Sequence, residues 1–270
     1  MKKEKTIENI TQESNITEDS VNDTVKNYIS IAIDGPSGAG KSTLSRRAAE
    51  HFGFIHVDTG AIYRTLGLYA LRGRVSPEDT ERVTRLLSDV TIDLVYDSDG
   101  NQKMLLCGED VTGEIRTPEV SEYASRISAI PAVRRFLLEM QRELAGRYNV
   151  IMDGRDIGTV VLRDADLKIF LTANPEDRAM RRLNEFMEKG LSISYEQVLE
   201  SIVQRDENDS RRSESPLRAA HDAVVLDTTG NSLDESAELI IETISDRLGD
   251  RLGDRRDESL SDRHDERQGL

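Results

Sequence analysis

The stretch from Ile31 to Leu44, IAIDGPSGAGKSTL, constrains the fold of this 270-residue chain more than any other. A short apolar run leads into a glycine-rich bend, and a lysine and two hydroxyl residues follow where a helix is predicted to begin. The bend fits the pattern G-x-x-x-x-G-K-[ST]. Its backbone N–H groups can converge on phosphate oxygens, and the following helix directs the positive end of its dipole at them. The stretch therefore predicts a phosphate-binding loop after a buried strand.

Residues of this loop have separable predicted roles. Lys41 supplies a mobile charge for the terminal phosphates, and the hydroxyl of Ser42 is placed to join the coordination shell of Mg²⁺. Asp153 ends the apolar run NVIMD, as expected of an acid that orders magnesium-bound water; the alternative is a structural pair with Lys41. We therefore expect metal contacts from Ser42 and Asp153. Nucleotide contacts are expected from Gly35, Pro36, Ser37, Gly38, Ala39, Gly40, Lys41, Ser42 and Thr43.

Short apolar runs alternate with helical patterns over the central part of the chain. Continuous apolar runs separated by helices indicate a parallel sheet that is covered on both faces, so the predicted class is α/β. The predicted strands are Tyr28–Ile33, Phe54–Gly60, Asn149–Gly154, Leu167–Ala173 and Ala223–Thr228.

One segment, Val90–Arg116, breaks the alternation. It holds two runs of alternating polarity joined by DSDGN, which favours a tight hairpin, so we expect a small antiparallel insert within residues 88–126. Cys107 lies in an apolar run there and is expected to be a packed thiol. The helix after the insert is expected to break near Pro131, and residues 175–212 are arginine-rich and helical.

Both ends of the chain differ from this pattern. Residues 1–27 are polar and without periodicity, and we expect a disordered extension. Residues 248–270 are a charged extension with a short DRLG repeat, expected to continue the last helix as a frayed segment rather than to be disordered. Neither extension is expected to take part in catalysis.

Composition narrows the class of protein. A formal charge of −15 argues against a sequence-independent nucleic-acid binder, whose affinity rests on basic surface. The chain shows no signal peptide and no apolar run of membrane-spanning length, so no membrane partner is expected. A single cysteine fits the reducing cytoplasm.

The phosphate loop alone does not say whether a nucleotide is a timer, a fuel or a reactant. A GTPase would need the guanine-binding pattern N-K-x-D, and the chain contains no Asn-Lys pair. A motor would need a larger chain and a basic track for its polymer. A small kinase instead needs arginines that neutralise two anions, and arginine clusters follow several of the predicted strands. The nucleotide as reactant is the interpretation that remains.

Five segments carry a family resemblance: IDGPSGAGKST, DTGAIYR, GEIRTPEVSEYASRISAIPAVR, MDGRDIGTVV and RDENDSRR. Together, over roughly Ile29 to Arg247, they resemble bacterial cytidylate kinases. The resemblance implies a P-loop kinase core over residues 28–247, with an NMP-binding insert at about 88–126 and a helical lid at about 175–212. It further implies transfer of a phosphoryl group from ATP, with Mg²⁺, to CMP or dCMP. We expect small-molecule substrates only and a monomer.

The same resemblance assigns residues to the acceptor nucleotide. Ser125, Arg134 and Asp156 map onto the cytosine edge, where Asp156 would accept from the N4 amino group; uracil presents a carbonyl there, so UMP should be disfavoured. The remaining acceptor contacts are expected at Arg64 and Arg155 for the phosphate, Arg205 and Asp209 for the sugar, Arg212 for either, and Asp58 and Thr59 in the pocket wall. Asp58 could also cap a helix.

On the ATP side, Arg178, Arg181 and Arg182 lie three and four residues apart on the predicted lid helix. They could close over ATP and exclude water, or form only a solvated basic stripe. The expected catalytic residues are Lys41, Arg155 and Arg181, and no general base is needed because the acceptor oxygen is already anionic. Two alternatives stay open: a kinase for another acceptor such as UMP, dTMP or a small metabolite, and a nucleotide-dependent regulatory protein whose extensions recruit a partner.

Overall fold

The computed structural model describes residues 28–97, 101–188, 190, 192–212 and 214–265. Its central sheet has five parallel strands: β1 (Ser30–Asp34), β2 (Ile55–Asp58), β6 (Val150–Gly154), β7 (Leu167–Thr172) and β8 (Val224–Asp227). They lie in the order β2-β6-β1-β7-β8, so consecutive strands are joined by helical crossovers. The five predicted strands and the α/β class are confirmed, with boundaries shifted by one or two residues.

The structure describes eight α-helices, of which α6 and α7 pack on each other rather than on the sheet. They are α1 (Lys41–Phe52), α2 (Thr59–Arg72), α3 (Thr80–Leu86), α4 (Pro118–Ile127), α5 (Pro131–Arg147), α6 (Pro175–Glu188), α7 (Tyr195–Arg211) and α8 (Leu233–Asp265). One apolar core joins the sheet to α2, α4, α5 and the insert, and a second joins it to α1 and α8. A small third cluster holds α6 and α7 together. The predicted helix break falls between α4 and α5, where Pro131 is the first residue of α5.

The insert is an antiparallel sheet of three strands, β3 (Ile92–Tyr96), β4 (Gln102–Leu106) and β5 (Glu109–Asp110). Strands β3 and β4 form the predicted hairpin, although residues 98–100 of its turn lie outside the described residues. The two-strand prediction was incomplete, because a second turn at Cys107 and Gly108, with φ of 50° and 83°, adds β5. The expectation of a packed thiol was wrong: Cys107 is exposed at that turn.

The last helix, α8, continues to Asp265 and so runs into the charged segment. Residues 266–270 and the predicted disordered segment 1–27 lie outside the described residues. The helix is attached to the sheet through Leu248 and Leu252, and Arg251 forms an ion pair with Asp166. Within the described ranges, no helix combines the length and the apolar character that a membrane crossing needs.

Candidate active site

The carboxyl ends of β1, β2 and β6 meet at one edge of the sheet. Asp34 of β1 lies beside Gly154 of β6, and Asp58 of β2 lies beside Asp153. The segments that follow these strands, the phosphate loop at 35–40 among them, therefore leave the sheet side by side. In open α/β sheets, ligands bind in the crevice outside this edge.

The phosphate loop adopts a conformation that its glycines allow. A Cβ on Gly35 would lie 2.0 Å from the carbonyl oxygen of Leu171, so no other residue fits there without moving the backbone. Gly40, with φ of 84°, precedes the first turn of α1, a left-handed conformation that side chains disfavour. The loop bends around the ammonium group of Lys41, which donates to the carbonyl of Pro36 at 2.7 Å.

Lys41 is buried in a cationic environment. Burial lowers the pKa of its ammonium well below the ordinary value, and the positive charges of Arg155 and Arg205 lower it further. The carboxylates of Asp153 and Asp34 raise the pKa of Lys41, but by less than burial and the two arginines lower it. A phosphate chain in the loop would supply the negative charge that this group lacks.

Asp153 and Ser42 form the predicted metal position. The Ser42 hydroxyl lies 3.4 Å from Oδ1 of Asp153, and the same oxygen is 2.7 Å from Nε2 of His56. A hydroxyl and a carboxylate are hard oxygen ligands of the kind Mg²⁺ takes when phosphates supply the rest of its shell. The described residues contain no cluster of three or more acidic, histidine or cysteine side chains that could hold a metal without such help.

The predicted acceptor side begins at Asp58, which also serves as the expected helix cap. Its carboxylate caps α2 by accepting from the N–H of Ala61 at 2.9 Å, and it also accepts from Arg64 at 2.8 Å. Burial raises the pKa of Asp58, but Arg64, then His56 and the Ala61 N–H, outweigh burial and hold it below the ordinary value. Thr59 is turned away from solvent and donates to the carbonyl of Asp153 at 2.7 Å.

Arg134 and Asp156 form a direct ion pair in the predicted base pocket. Arg134 also donates to the carbonyl of Ser128 at 3.2 Å, and its guanidinium lies 5.7 Å from the ring centroid of Tyr63. Ser125 lies one turn from Ser128, whose hydroxyl donates to the Ser125 carbonyl at 2.7 Å. The pair is thus held in place by an aromatic face and a helix end.

Helix α7 brings the lid residues over this pocket. Asp209 accepts from Arg155 at 2.9 Å and lies 3.7 Å from Arg212, while Arg212 also donates to the hydroxyl of Ser128 at 3.3 Å. Burial raises the pKa of Asp209, but Arg155, Arg205 and Arg212 together hold it below the ordinary value. The lid and the loop after β6 are therefore joined by charge without any ligand.

Three guanidinium groups here carry a buried nitrogen that has no hydrogen-bond partner among the described residues: Arg64 Nε, Arg205 Nε and Arg212 Nη2. Burial, and then the neighbouring charges of Arg155 and Arg64, lower the pKa of Arg205 to about 10. Buried donors without partners are costly, and like charges repel. The arrangement is that of a site built for an anion.

The three lid arginines of α6 point to different partners. Arg178 is buried and donates to the carbonyl of Ser37 at 2.9 Å. Arg181 donates to the carbonyl of Thr228 at 2.6 Å, and Arg182 lies over the ring of Phe186 at 4.6 Å. Arg178 is not part of a solvated stripe, whereas Arg182 is half-exposed.

Some partners of these predicted residues were not expected from the sequence. His56 on Asp153 and Ser128 between Arg134 and Arg212 were not predicted. Gln102 was also missed; its amide accepts from the N–H of Asp58 at 2.8 Å and donates to its carbonyl at 3.3 Å. A polar side chain within the buried strand β2 is the one signal that could have pointed to His56.

A glycine-rich phosphate loop on a parallel sheet, facing buried arginines and a two-helix lid, defines a phosphate-loop kinase. The family model for cytidylate kinase matches residues 31–246, and the chain belongs to the cytidylate kinase family. Curated relatives agree over most of both lengths. A cytidylate kinase of Caldicellulosiruptor bescii is 52% identical over 79% of this chain and 94% of that protein, and one of Carboxydothermus hydrogenoformans is 48% identical over 79% and 96%.

Proposed function

We propose that the enzyme transfers the γ-phosphoryl group of ATP to CMP or dCMP, giving ADP and CDP or dCDP. The observation that carries this proposal is the cluster of buried and partly buried, mutually repelling cations between the phosphate loop and the Arg134–Asp156 pair. After burial, Arg155 and Arg205 lower the pKa of Lys41, and Arg155 lowers the pKa of Arg205. Two anionic substrates meeting there would balance these charges.

In this proposal the donor and acceptor phosphates approach each other between Lys41 and Arg155. The loop residues 35–43 hold ATP, and Arg64 and Arg155 hold the acceptor phosphate; Arg155 is paired with Asp209 in this structure, so the acceptor would compete for it. Ser42 and Asp153 would hold Mg²⁺, which would supply positive charge against the ATP phosphates. Positioning and charge neutralisation then supply the catalysis, with no general base.

The base pocket supports a choice for cytosine. The carboxylate of Asp156, fixed by Arg134, can accept from an amino group at position 4 of the pyrimidine. A carbonyl at that position would face the carboxylate and be repelled. We assign Ser125, near the end of α4, to this edge of the base. Arg205 and Asp209 are assigned to the sugar, and Arg212, 3.7 Å from Asp209, to the sugar or the phosphate.

Closure of α6 and α7 would complete the donor side. Arg181 and Arg182 are proposed to reach the ATP phosphates, with Arg178 behind the loop, so that water is excluded from the reacting phosphoryl group. We also infer a monomer that works in the cytoplasm without a nucleic-acid partner, in keeping with the formal charge of −15.

A substrate panel tests the proposal. ADP release with ATP and Mg²⁺ should be fastest with CMP or dCMP and much slower with UMP, AMP and dTMP. A preference for UMP would contradict the assignment of Asp156 and favour the kinase for another acceptor. Little turnover with every monophosphate would favour the regulatory binding protein.

Asp156→Asn sharpens this test. The variant loses the carboxylate that accepts from the N4 amino group, so kcat/KM for CMP should fall by about 100-fold or more. Its amide can turn the N–H₂ toward a carbonyl, so the ratio of UMP to CMP use should rise. The KM for ATP should change little. The control is Asp93→Asn, which removes an exposed carboxylate on β3 and should behave like the wild-type enzyme. Equal damage to ATP and CMP use would refute the placement of Asp156 on the base.

A further inference from the structure

Arg178 connects three parts of the protein that a lid motion would separate. Its side chain, only 4% exposed, donates Nε to the carbonyl of Ala173 at the end of β7 at 2.8 Å. Its Nη1 donates to the carbonyl of Ser37 in the phosphate loop at 2.9 Å and to Oδ2 of Asp206 on α7 at 2.6 Å. One guanidinium therefore joins the sheet, the loop and the lid.

The contact with Ser37 fixes the orientation of a loop peptide. No cis peptide occurs among the described residues, so the N–H of Gly38 points opposite to the Ser37 carbonyl and hence away from Arg178. Packing holds the same peptide: a Cβ on Gly38 would lie 3.2 Å from Cβ of Arg178 and 3.5 Å from Cδ1 of Ile202. Arg178 thus helps to present one of the N–H groups that a phosphate would use.

The contact with Asp206 leads to the acceptor side. Asp206 lies between Arg205 and Asp209 on α7, and those two residues face Arg155 and the acceptor pocket. Its second oxygen, Oδ1, is buried without a hydrogen-bond partner in the described part of the chain, so Arg178 supplies its only visible compensation. A movement of Asp206 would move Arg205 and Asp209 with the helix.

We propose that Arg178 is a positioning residue that couples the phosphate loop to lid helix α7, so that donor nucleotide in the loop fixes Arg205 and Asp209 over the acceptor site. Arg178 acts through the Ser37 peptide and Asp206. This inference depends on the proposed function only for the identity of the acceptor. The coupling itself involves the donor nucleotide and the lid helices.

Two variants interrupt the coupling between the phosphate loop and α7, one at Arg178 and one at Asp206. Arg178→Lys keeps the charge but cannot serve three acceptors in the fixed fork of a guanidinium. Asp206→Asn keeps the shape and leaves every group of the loop in place. We expect both to weaken ADP binding, by about tenfold and about fivefold, and to reduce by at least about fivefold the factor by which ADP tightens CMP binding. The measurements are calorimetric titrations of each nucleotide alone and with the other.

Hydrogen exchange supplies a readout that needs neither turnover nor CMP. In the wild-type enzyme, ADP should slow exchange of the backbone amides of α7; in Asp206→Asn, ADP should bind but leave α7 exchange nearly unchanged. The matched controls are Arg211→Lys and Glu207→Gln, an exposed pair on the same helix at 3.6 Å, which should behave like the wild-type enzyme.

The coupling is refuted if Asp206→Asn matches Glu207→Gln in ADP affinity and in α7 exchange, because Arg178 would then act on the nucleotide alone. It is equally refuted if ADP leaves α7 exchange of the wild-type enzyme unchanged. Failure of the proposed function is a separate result: ADP would bind and protect α7, while no CMP is phosphorylated.

Discussion

Asp34 shows at the scale of one residue how the two halves of the site are joined. It precedes the phosphate loop, and its carboxylate accepts from the N–H groups of Ile157 at 2.7 Å and Gly158 at 2.8 Å. These amides follow Arg155 and Asp156 directly. A single buried carboxylate thus fixes the position of the segment proposed to bind the acceptor relative to the phosphate loop.

This carboxylate makes stability depend on pH. Burial raises the pKa of Asp34 to about 6, although the two N–H groups oppose the shift. Because the folded state holds the proton more tightly than the unfolded state, Asp34 stabilises the fold at low pH, and this contribution is lost as the pH rises from about 4 through about 6.

Replacing Asp34 with Asn removes this titrating group, so the difference in unfolding free energy between the wild-type enzyme and Asp34→Asn should depend on pH. Lowering the pH from 7 to 4 should shift that difference in favour of the wild-type enzyme by about 2 kcal/mol, slightly less than the full equivalent of a pKa shift of about two units, because the unfolded-state carboxyl is only partly protonated at pH 4. Urea unfolding at several pH values measures it. A pH-independent difference, or a shift toward the variant, would show that Asp34 is not protonated in the folded state near pH 6.

At the scale of residues, some features of the site can be predicted from the sequence and others cannot. The residue types that phosphate chemistry demands, such as Lys41 and Ser42, are visible in the sequence because their spacing along one loop sets their geometry. Partners across the fold are not visible in this way. Arg178 was predicted from its helical spacing to face ATP, but its contacts to Ser37 and Asp206 depend on how α6 and α7 pack.

At the scale of elements, the insert sheet is bonded to β2 at two places: Tyr96 donates to the carbonyl of His56 at 2.9 Å, and Gln102 contacts Asp58 in the proposed acceptor pocket. Gln102 begins β4, and its amide forms two hydrogen bonds with the backbone of Asp58, where β2 ends and α2 begins. The insert therefore holds the segment that carries Asp58 and Arg64. A change in the insert should therefore alter the affinity for the acceptor nucleotide and not the affinity for ATP.

Gln102→Ala tests this role of the insert. Loss of both hydrogen bonds should weaken CMP binding by about fivefold, the equivalent of about 1 kcal/mol, while the affinity for ADP stays within about twofold. Lys103→Ala, on the adjacent and partly exposed position of β4, is the control. Parallel losses for ADP and CMP would mean that the insert supports the whole fold instead of the acceptor pocket.

The insert also shows why some elements escaped prediction. The Asp-Gly pair in DSDGN favours a hairpin by its own conformational preferences, and β3 pairs with β4 as expected. The turn to β5 uses Cys107 at φ of 50°, a conformation that cysteine seldom adopts. Contacts within the folded insert impose that turn. As a result, the thiol of Cys107, which was expected in the core, lies exposed at the surface.

At the scale of the whole molecule, a parallel sheet and its crossovers follow from the alternation of apolar runs and helices. The order β2-β6-β1-β7-β8 does not follow from that alternation, and this order is what brings Asp34, Asp58 and Asp153 to one edge. This edge is where we propose that donor and acceptor phosphates meet, so that a phosphoryl group passes directly between them.

Transfer of label from [γ-³²P]ATP in a mixture of equimolar CMP, UMP, AMP and dTMP with Mg²⁺ tests this claim most directly. We predict that the label appears almost entirely in CDP, with inorganic phosphate as a minor product, because the buried arginines and Asp156 select the acceptor and exclude water. Label mainly in inorganic phosphate, or in a diphosphate other than CDP, would contradict the account.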